Sequence, residues 1–211
     1  MPVPPTLLRA SSRTATALAV LALGCAAVPI AAQAALAQQI ALTQVERRVQ
    51  SAIAALRDDQ IAYLQRVVDI PSSTQNLEGV RRVGAAFRAS LDSLGFATSW
   101  VAMPDSVRRA GHLVAEHPGS PGAVRMLLIG HFDTVVEPDG ANWVREDSTA
   151  RGVGSGDMKG GDVIILFALK ALERAGALAG LNVTIVFTGD EESVGRPIEV
   201  ARAALLEVAH R

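Results

Sequence analysis

Cysteine is almost absent from this chain. Cys25 is the only one in 211 residues, and it falls in an N-terminal segment that reads as a removable leader. The mature chain then has none, which excludes disulfides, a thiolate zinc site and a cysteine nucleophile. Such a protein is held together by its core or by metal. Aromatic residues make up only 4%, too few for platforms on which nucleic-acid bases stack. An excess of charge is missing as well. Twenty Lys and Arg stand against 21 Asp and Glu, for a net charge of −1, so nothing draws the chain to nucleic acid or to an acidic membrane. Apolar residues are plentiful at 49%, and the length suits one domain of ordinary size.

Arg9 and Arg13 precede an uncharged, Ala-, Leu- and Val-rich run from Thr14 to Ala37. The run ends in Ala32-Gln33-Ala34 and Ala35-Leu36-Ala37, both of the A-x-A form at which leaders are cut. The expected organisation is a signal peptide over 1–37 and one domain over 38–211. The protein is expected to be exported, periplasmic or extracellular, with no stable membrane insertion after cleavage. The alternative is an uncleaved N-terminal anchor, because the run approaches spanning length.

Beyond the leader, Val45, Val49, Ile53, Leu56, Leu64 and Val67/Val68 recur at helical spacing, and Pro71-Ser72-Ser73 ends the pattern. Leu77, Val80, Val83, Phe87, Leu91 and Leu94 form a second helical face, stopped by Gly95. Phe96 to Val101 and His112 to Glu116 are predicted strands. Met126 to Ile129 is short and wholly apolar, the pattern of a buried central strand. Gly160 to Ala175 reads as a buried helix, Val183 to Phe187 as a strand, and Pro197 to His210 as a last helix. Strands alternating with helices make the class α/β, and ligands in such folds sit beyond the carboxyl ends of strands.

Three polar clusters fall where that rule directs attention. His131-Phe132-Asp133 follows the Met126–Ile129 run. Imidazole is a good zinc ligand, and a carboxylate two residues on, on the same side of an extended chain, could orient it. Gly152, Gly154 and Gly156 lead into Asp157-Met158-Lys159-Gly160-Gly161. A carboxylate presented from such a tight loop could bridge two metal ions. A phosphate cradle fails on spacing, because Asp157 stands where a third glycine is required and Lys159-Gly160 reverses the Gly-Lys order. Asp190-Glu191-Glu192 follows the Val183–Phe187 strand, and three adjacent carboxylates there are costly unless solvated, protonated or bound to cations. Each cluster alone also fits a solvated loop. Together they supply the imidazole and carboxylate types of a zinc site.

In this order the strings resemble peptidase family M20. Leu128-Ile129-Gly130-His131-Phe132-Asp133-Thr134-Val135, Gly152 to Gly161, and Thr188-Gly189-Asp190-Glu191-Glu192 are similar to its three metal motifs, with wording closest to glutamate carboxypeptidase-like members. Gly111 to Glu116 resembles the strand before the first motif. The resemblance implies a zinc-peptidase-like catalytic domain: α/β, with a mixed, largely parallel sheet flanked by helices. It implies His131, Asp157 and Glu192 as metal ligands, Asp133 as the group that orients His131, and Glu191 as general base. Two zinc ions are implied, with cobalt or manganese as substitutes.

The implied reaction is hydrolysis of a peptide bond, as in a carboxypeptidase, or of an N-acyl amino acid by an amidohydrolase using the same site. The resemblance also implies a further acidic ligand and a second histidine beyond Arg211, since His112, His117 and His210 lack that histidine's context. By the resemblance, the lid or dimerisation domain of the family is expected to lie outside these 211 residues, and a homodimer would need it. The expectation is therefore an N-terminal part of the catalytic domain, truncated and weakly active or inactive. The alternative from another class is a non-catalytic exported domain that binds metal or a partner.

Overall fold

A computed structural model describes residues 41–139 and 142–211. The leader assigned to 1–37 lies outside the described residues. Thr43 opens the fold with a reciprocal cap. Its hydroxyl accepts the Glu46 N–H at 3.2 Å, and the Glu46 carboxylate accepts the Thr43 N–H at 2.6 Å, so two otherwise orphaned donors are satisfied. Helix α1 (Gln44–Ala55) follows, then α2 (Arg57–Val68). The expected single rhythm from Val45 to Val68 is broken at Leu56, which ends one helix, starts the next and is itself buried. Helix α3 (Leu77–Asp92) is capped by the Asn76 side chain, which accepts the Gly79 N–H at 2.9 Å.

The strands are β1 (Ala97–Val101), β2 (His112–His117), β3 (Arg125–His131), β4 (Val144–Glu146), β5 (Thr149–Arg151) and β6 (Asn182–Thr188). Helix α4 (Lys159–Arg174) connects the β4–β5 hairpin to β6, and two short helices, α5 (Ile198–Ala201) and α6 (Ala203–His210), close the chain. The hairpin gave no sequence signal: its strands are three residues long, all exposed, and lack an apolar alternation. The expected last helix is split at Arg202, where the backbone leaves the helical region.

The main sheet has the order β1-β2-β6-β3. It is mixed and flanked by helices, as expected. Its parallel part is smaller than expected: β1–β2 and β2–β6 are antiparallel, and only β3–β6 is parallel. Strand β3 also departs from the central position expected of it. Its apolar run has β6 on one side only, so among the described residues it is an edge, with Met126 40% and Ile129 51% exposed.

Alternation along β2 and β6 divides the core. Leu113, Ala115, Val183, Ile185 and Phe187 join Val80, Val83, Phe87 and Leu91 of α3 and Val163, Leu166 and Phe167 of α4. Val114 and Val186 turn to the other face and meet Val208 of α6. Phe87, Phe132 and Phe187 meet at the heart of the larger cluster, with ring centroids 4.9–5.3 Å apart. Phe132 belongs to the first polar motif, so the core itself fixes that motif. A fully buried phenylalanine contributes roughly 1.5–3 kcal/mol from transfer alone.

Candidate metal centre

The register of the β3–β6 pair sets the site. His131 is opposite Thr188, and the ladder continues one step through the Phe132 N–H to the Thr188 carbonyl at 2.8 Å. Two motifs far apart in sequence therefore emerge side by side at the carboxyl ends of adjacent parallel strands. Gly130 allows this close approach. A Cβ there would lie 2.1 Å from Oδ1 of buried Asp162 and 2.8 Å from the Phe187 ring.

His131 is buried at 4% exposure. Its Nδ1 donates to the Asp133 carbonyl at 3.0 Å, and its Nε2 lies 3.0 Å from Asp157 Oδ1 and 3.9 Å from Glu191 Oε2. Ligand atoms of His131, Glu191 and Glu192 lie within 4.8 Å of one another. Burial acts against a charged imidazole. The Asp133 carboxylate and carbonyl and the Asp157 carboxylate outweigh it and raise His131 to about 9. Without metal, the ring is thus an imidazolium that donates from both nitrogens.

Asp133 is completely buried, and it does more than orient His131. Its carboxylate stands 3.6 Å from His131 Nδ1, an ion-pair contact, while the ring proton goes to its carbonyl. The carboxylate oxygens instead receive the N–H groups of Glu191 and Glu192, each at 3.0 Å, and the Thr74 hydroxyl at 2.6 Å. Burial alone would raise this acid. The neighbouring imidazole and these three donors hold it below the ordinary carboxylate value.

The glycine loop is held from beneath. Gly154 takes φ +79°, a conformation glycine adopts without cost, and its carbonyl accepts the Lys159 N–H at 3.0 Å. The Asp157–Met158 peptide is cis. Lys159, 1% exposed, donates from Nζ to the Ile70 carbonyl at 2.7 Å, and burial pulls it down to about 8. The Asn142 amide takes the Val153 N–H at 2.7 Å and donates to the Val68 carbonyl. Asp157 itself is left open to solvent, its side chain 79% exposed.

The acidic loop is braced in turn. Asp190 is buried; its carboxylate accepts the Gly195 N–H at 2.9 Å and Arg202 at 2.6 Å. Arg109 reaches the Ser193 carbonyl at 2.6 Å. Asp190, which the sequence groups with its two neighbours, is thus a brace, while Glu191 and Glu192 face the imidazole. Burial and the nearby Asp157 carboxylate raise Glu192, the response of a like-charge cluster short of a cation. His112 stands apart. Its Nδ1 accepts the Gly189 N–H at 3.3 Å and its Nε2 meets the Ala201 carbonyl at 2.8 Å, which commits both nitrogens to the fold.

The donor set fits a divalent metal. One imidazole nitrogen faces three carboxylates, the ligand types zinc accepts, and the second ring nitrogen is fixed by a carbonyl, as is usual for a ligating histidine. Sequence reasoning found His131, Asp133, Asp157, Glu191 and Glu192, and the structure brings all five together. It missed Thr74, Lys159 and Asn142. The Pro71-Ser72-Ser73 break was read only as a helix stop, and Lys159 only as a mismatch to a phosphate loop.

Residues 127–208 match the family model for peptidase family M20/M25/M40. Over this stretch the chain is similar to that family. Carboxypeptidase G2 of Pseudomonas sp. (strain RS-16) is 31% identical over 148 residues, which cover 65% of this chain and 34% of that protein. Two solved structures share the fold. Human carnosine dipeptidase 1 aligns with a TM-score of 0.66 at 22% identity, and the di-peptidase Dug1p of Saccharomyces cerevisiae with 0.65 at 18%. Each alignment covers 77% of this chain and 37% of the other. The chain thus spans about a third of the length of these proteins.

Proposed function

We propose that this chain carries metal-binding and proton-transfer groups of an M20-type hydrolase that cleaves a peptide or amide bond, most nearly an exported carboxypeptidase. One observation carries the reading. Three segments separated by more than 20 residues converge at one point, through His131, through Asp157, and through Glu191 and Glu192. Zinc is the ion the donor types favour. His131, Asp157 and Glu192 are the proposed ligands. A bound divalent ion supplies Lewis acidity toward a carbonyl and lowers the pKa of a coordinated water.

The remaining chemistry falls to the protein. Glu191 has a half-exposed side chain within 3.9 Å of the imidazole. It is proposed to take a proton from the attacking water and return it to the leaving nitrogen, so that the carboxylate is regenerated. Asp133 keeps Glu191 and Glu192 in register by holding their backbone N–H groups. The His131 proton on Nε2 must leave before that nitrogen can ligate, so binding releases a proton at neutral pH. Export rests on the leader-like residues 1–37.

Thermal unfolding with and without zinc tests the reading. Zinc should raise the melting temperature of the wild-type chain, and Asp157→Ala should remove most of that rise. A wild-type chain indifferent to zinc while still unfolding cooperatively would refute a metal site in this chain.

A further inference from the structure

The segment after α2 does more than end a helix. Ser72, Ser73 and Thr74 run alongside the first motif as a short extended strip. Thr134 N–H donates to the Ser72 carbonyl at 2.9 Å, Thr74 N–H to the Thr134 carbonyl at 3.2 Å, and Ser73 bridges Thr134 in parallel register. The Ser72 hydroxyl donates to the Phe132 carbonyl at 2.8 Å. These bonds fix the strip to the backbone on either side of Asp133. The Thr74 side chain then makes one further contact, its hydroxyl donating to Asp133 Oδ2 at 2.6 Å. Thr74 is 4% exposed and Asp133 fully buried, so water cannot replace that donor.

The geometry points to Thr74 as a positioning residue of the metal centre, an inference that rests on the functional reading above. Asp133 Oδ1 serves Glu191 N–H, and Oδ2 serves both Glu192 N–H and the Thr74 hydroxyl. A carboxylate can rotate about its Cβ–Cγ bond. Consecutive N–H groups are received, one on each oxygen, only in one orientation of its plane. The Thr74 hydroxyl comes from outside both motifs, is held by its own backbone bond, and fixes that orientation. Through Asp133 it sets where the Glu191 and Glu192 side chains begin. A short, charge-assisted bond in a dry site suits this role. Sequence gives only Ser-Ser-Thr after a proline, and the contact spans 59 residues.

The test compares Thr74→Val, which keeps the shape and removes the donor, with Thr74→Ser, which keeps the donor. Two quantities are read: amide hydrogen exchange at Glu191 and Glu192 in the zinc-free full chain, and zinc affinity by competition with a chromogenic chelator. Thr74→Val should speed exchange at those two amides while leaving core amides in β2 and β6 protected, and should weaken zinc binding by about ten- to a hundredfold. Thr74→Ser should restore both. Should the valine variant fail to fold, Thr74→Ala against Thr74→Ser makes the same comparison. Unchanged exchange at Glu191 and Glu192 without the hydroxyl would overturn the inference, as would loss of zinc binding that serine does not rescue. A wild-type chain that takes no zinc would defeat the metal reading, and the amide comparison would then decide the role of Thr74 alone.

Discussion

At the scale of single residues, the site is a problem of charge. Four carboxylates, those of Asp133, Asp157, Glu191 and Glu192, surround one imidazole, and without metal that imidazole supplies a compensating cation. His131 has a folded-state pKa of about 9 against an ordinary 6.5. The folded state therefore binds the proton more tightly than the unfolded chain. This contribution to stability is complete below about pH 6.5 and is lost as pH rises through about 9. Chemical denaturation of metal-free protein at several pH values should show the wild type losing stability relative to His131→Asn across that window. A pH-independent difference between the two would mean that the imidazole is not charged in the fold.

The five candidate site residues that the structure brings together stand out in the sequence, because each lies in a polar cluster at a strand or loop end. Their division of labour does not. That Asp190 braces while Glu191 and Glu192 face the imidazole, and that Asp133 holds backbone as well as imidazole, depend on hydrogen bonds whose partners lie up to 59 residues away.

At the scale of elements, the first motif is anchored by the residue between its two polar ones. Phe132 is fully buried and stacks with Phe87 of α3 and Phe187 of β6. Removing the ring should leave a cavity at the junction of helix and sheet. Phe132→Ala is expected to cost about 3–5 kcal/mol in equilibrium unfolding, whereas Phe132→Leu should lose much less. An alanine variant of near wild-type stability would mean that the trio does not hold the motif.

Periodicity located most of the elements. It failed where tertiary context decides: at Leu56, where one apolar rhythm covers two helices, and in β3. A wholly apolar run says that a strand is apolar, not how many neighbours it has. The Ser72–Thr74 strip carried no signal because its order comes from backbone and side-chain partners about 60 residues away across the site.

At the scale of the whole molecule, β1 and β3 are the two edge strands of the described main sheet, and β3 is the strand that presents His131. The similarity to family M20 and the shared fold rest on motifs and topology over about a third of the length of the relatives described above. The central claim is that the three polar segments form one metal centre. X-ray absorption at the zinc edge, on the zinc-loaded full chain and on His131→Ala, tests it most directly. The expected spectrum has one imidazole nitrogen, no sulfur and otherwise oxygen ligands at about 2.0–2.2 Å, with the imidazole signature lost in the variant. An imidazole signature that survives His131→Ala would place the metal on another histidine and contradict the claim.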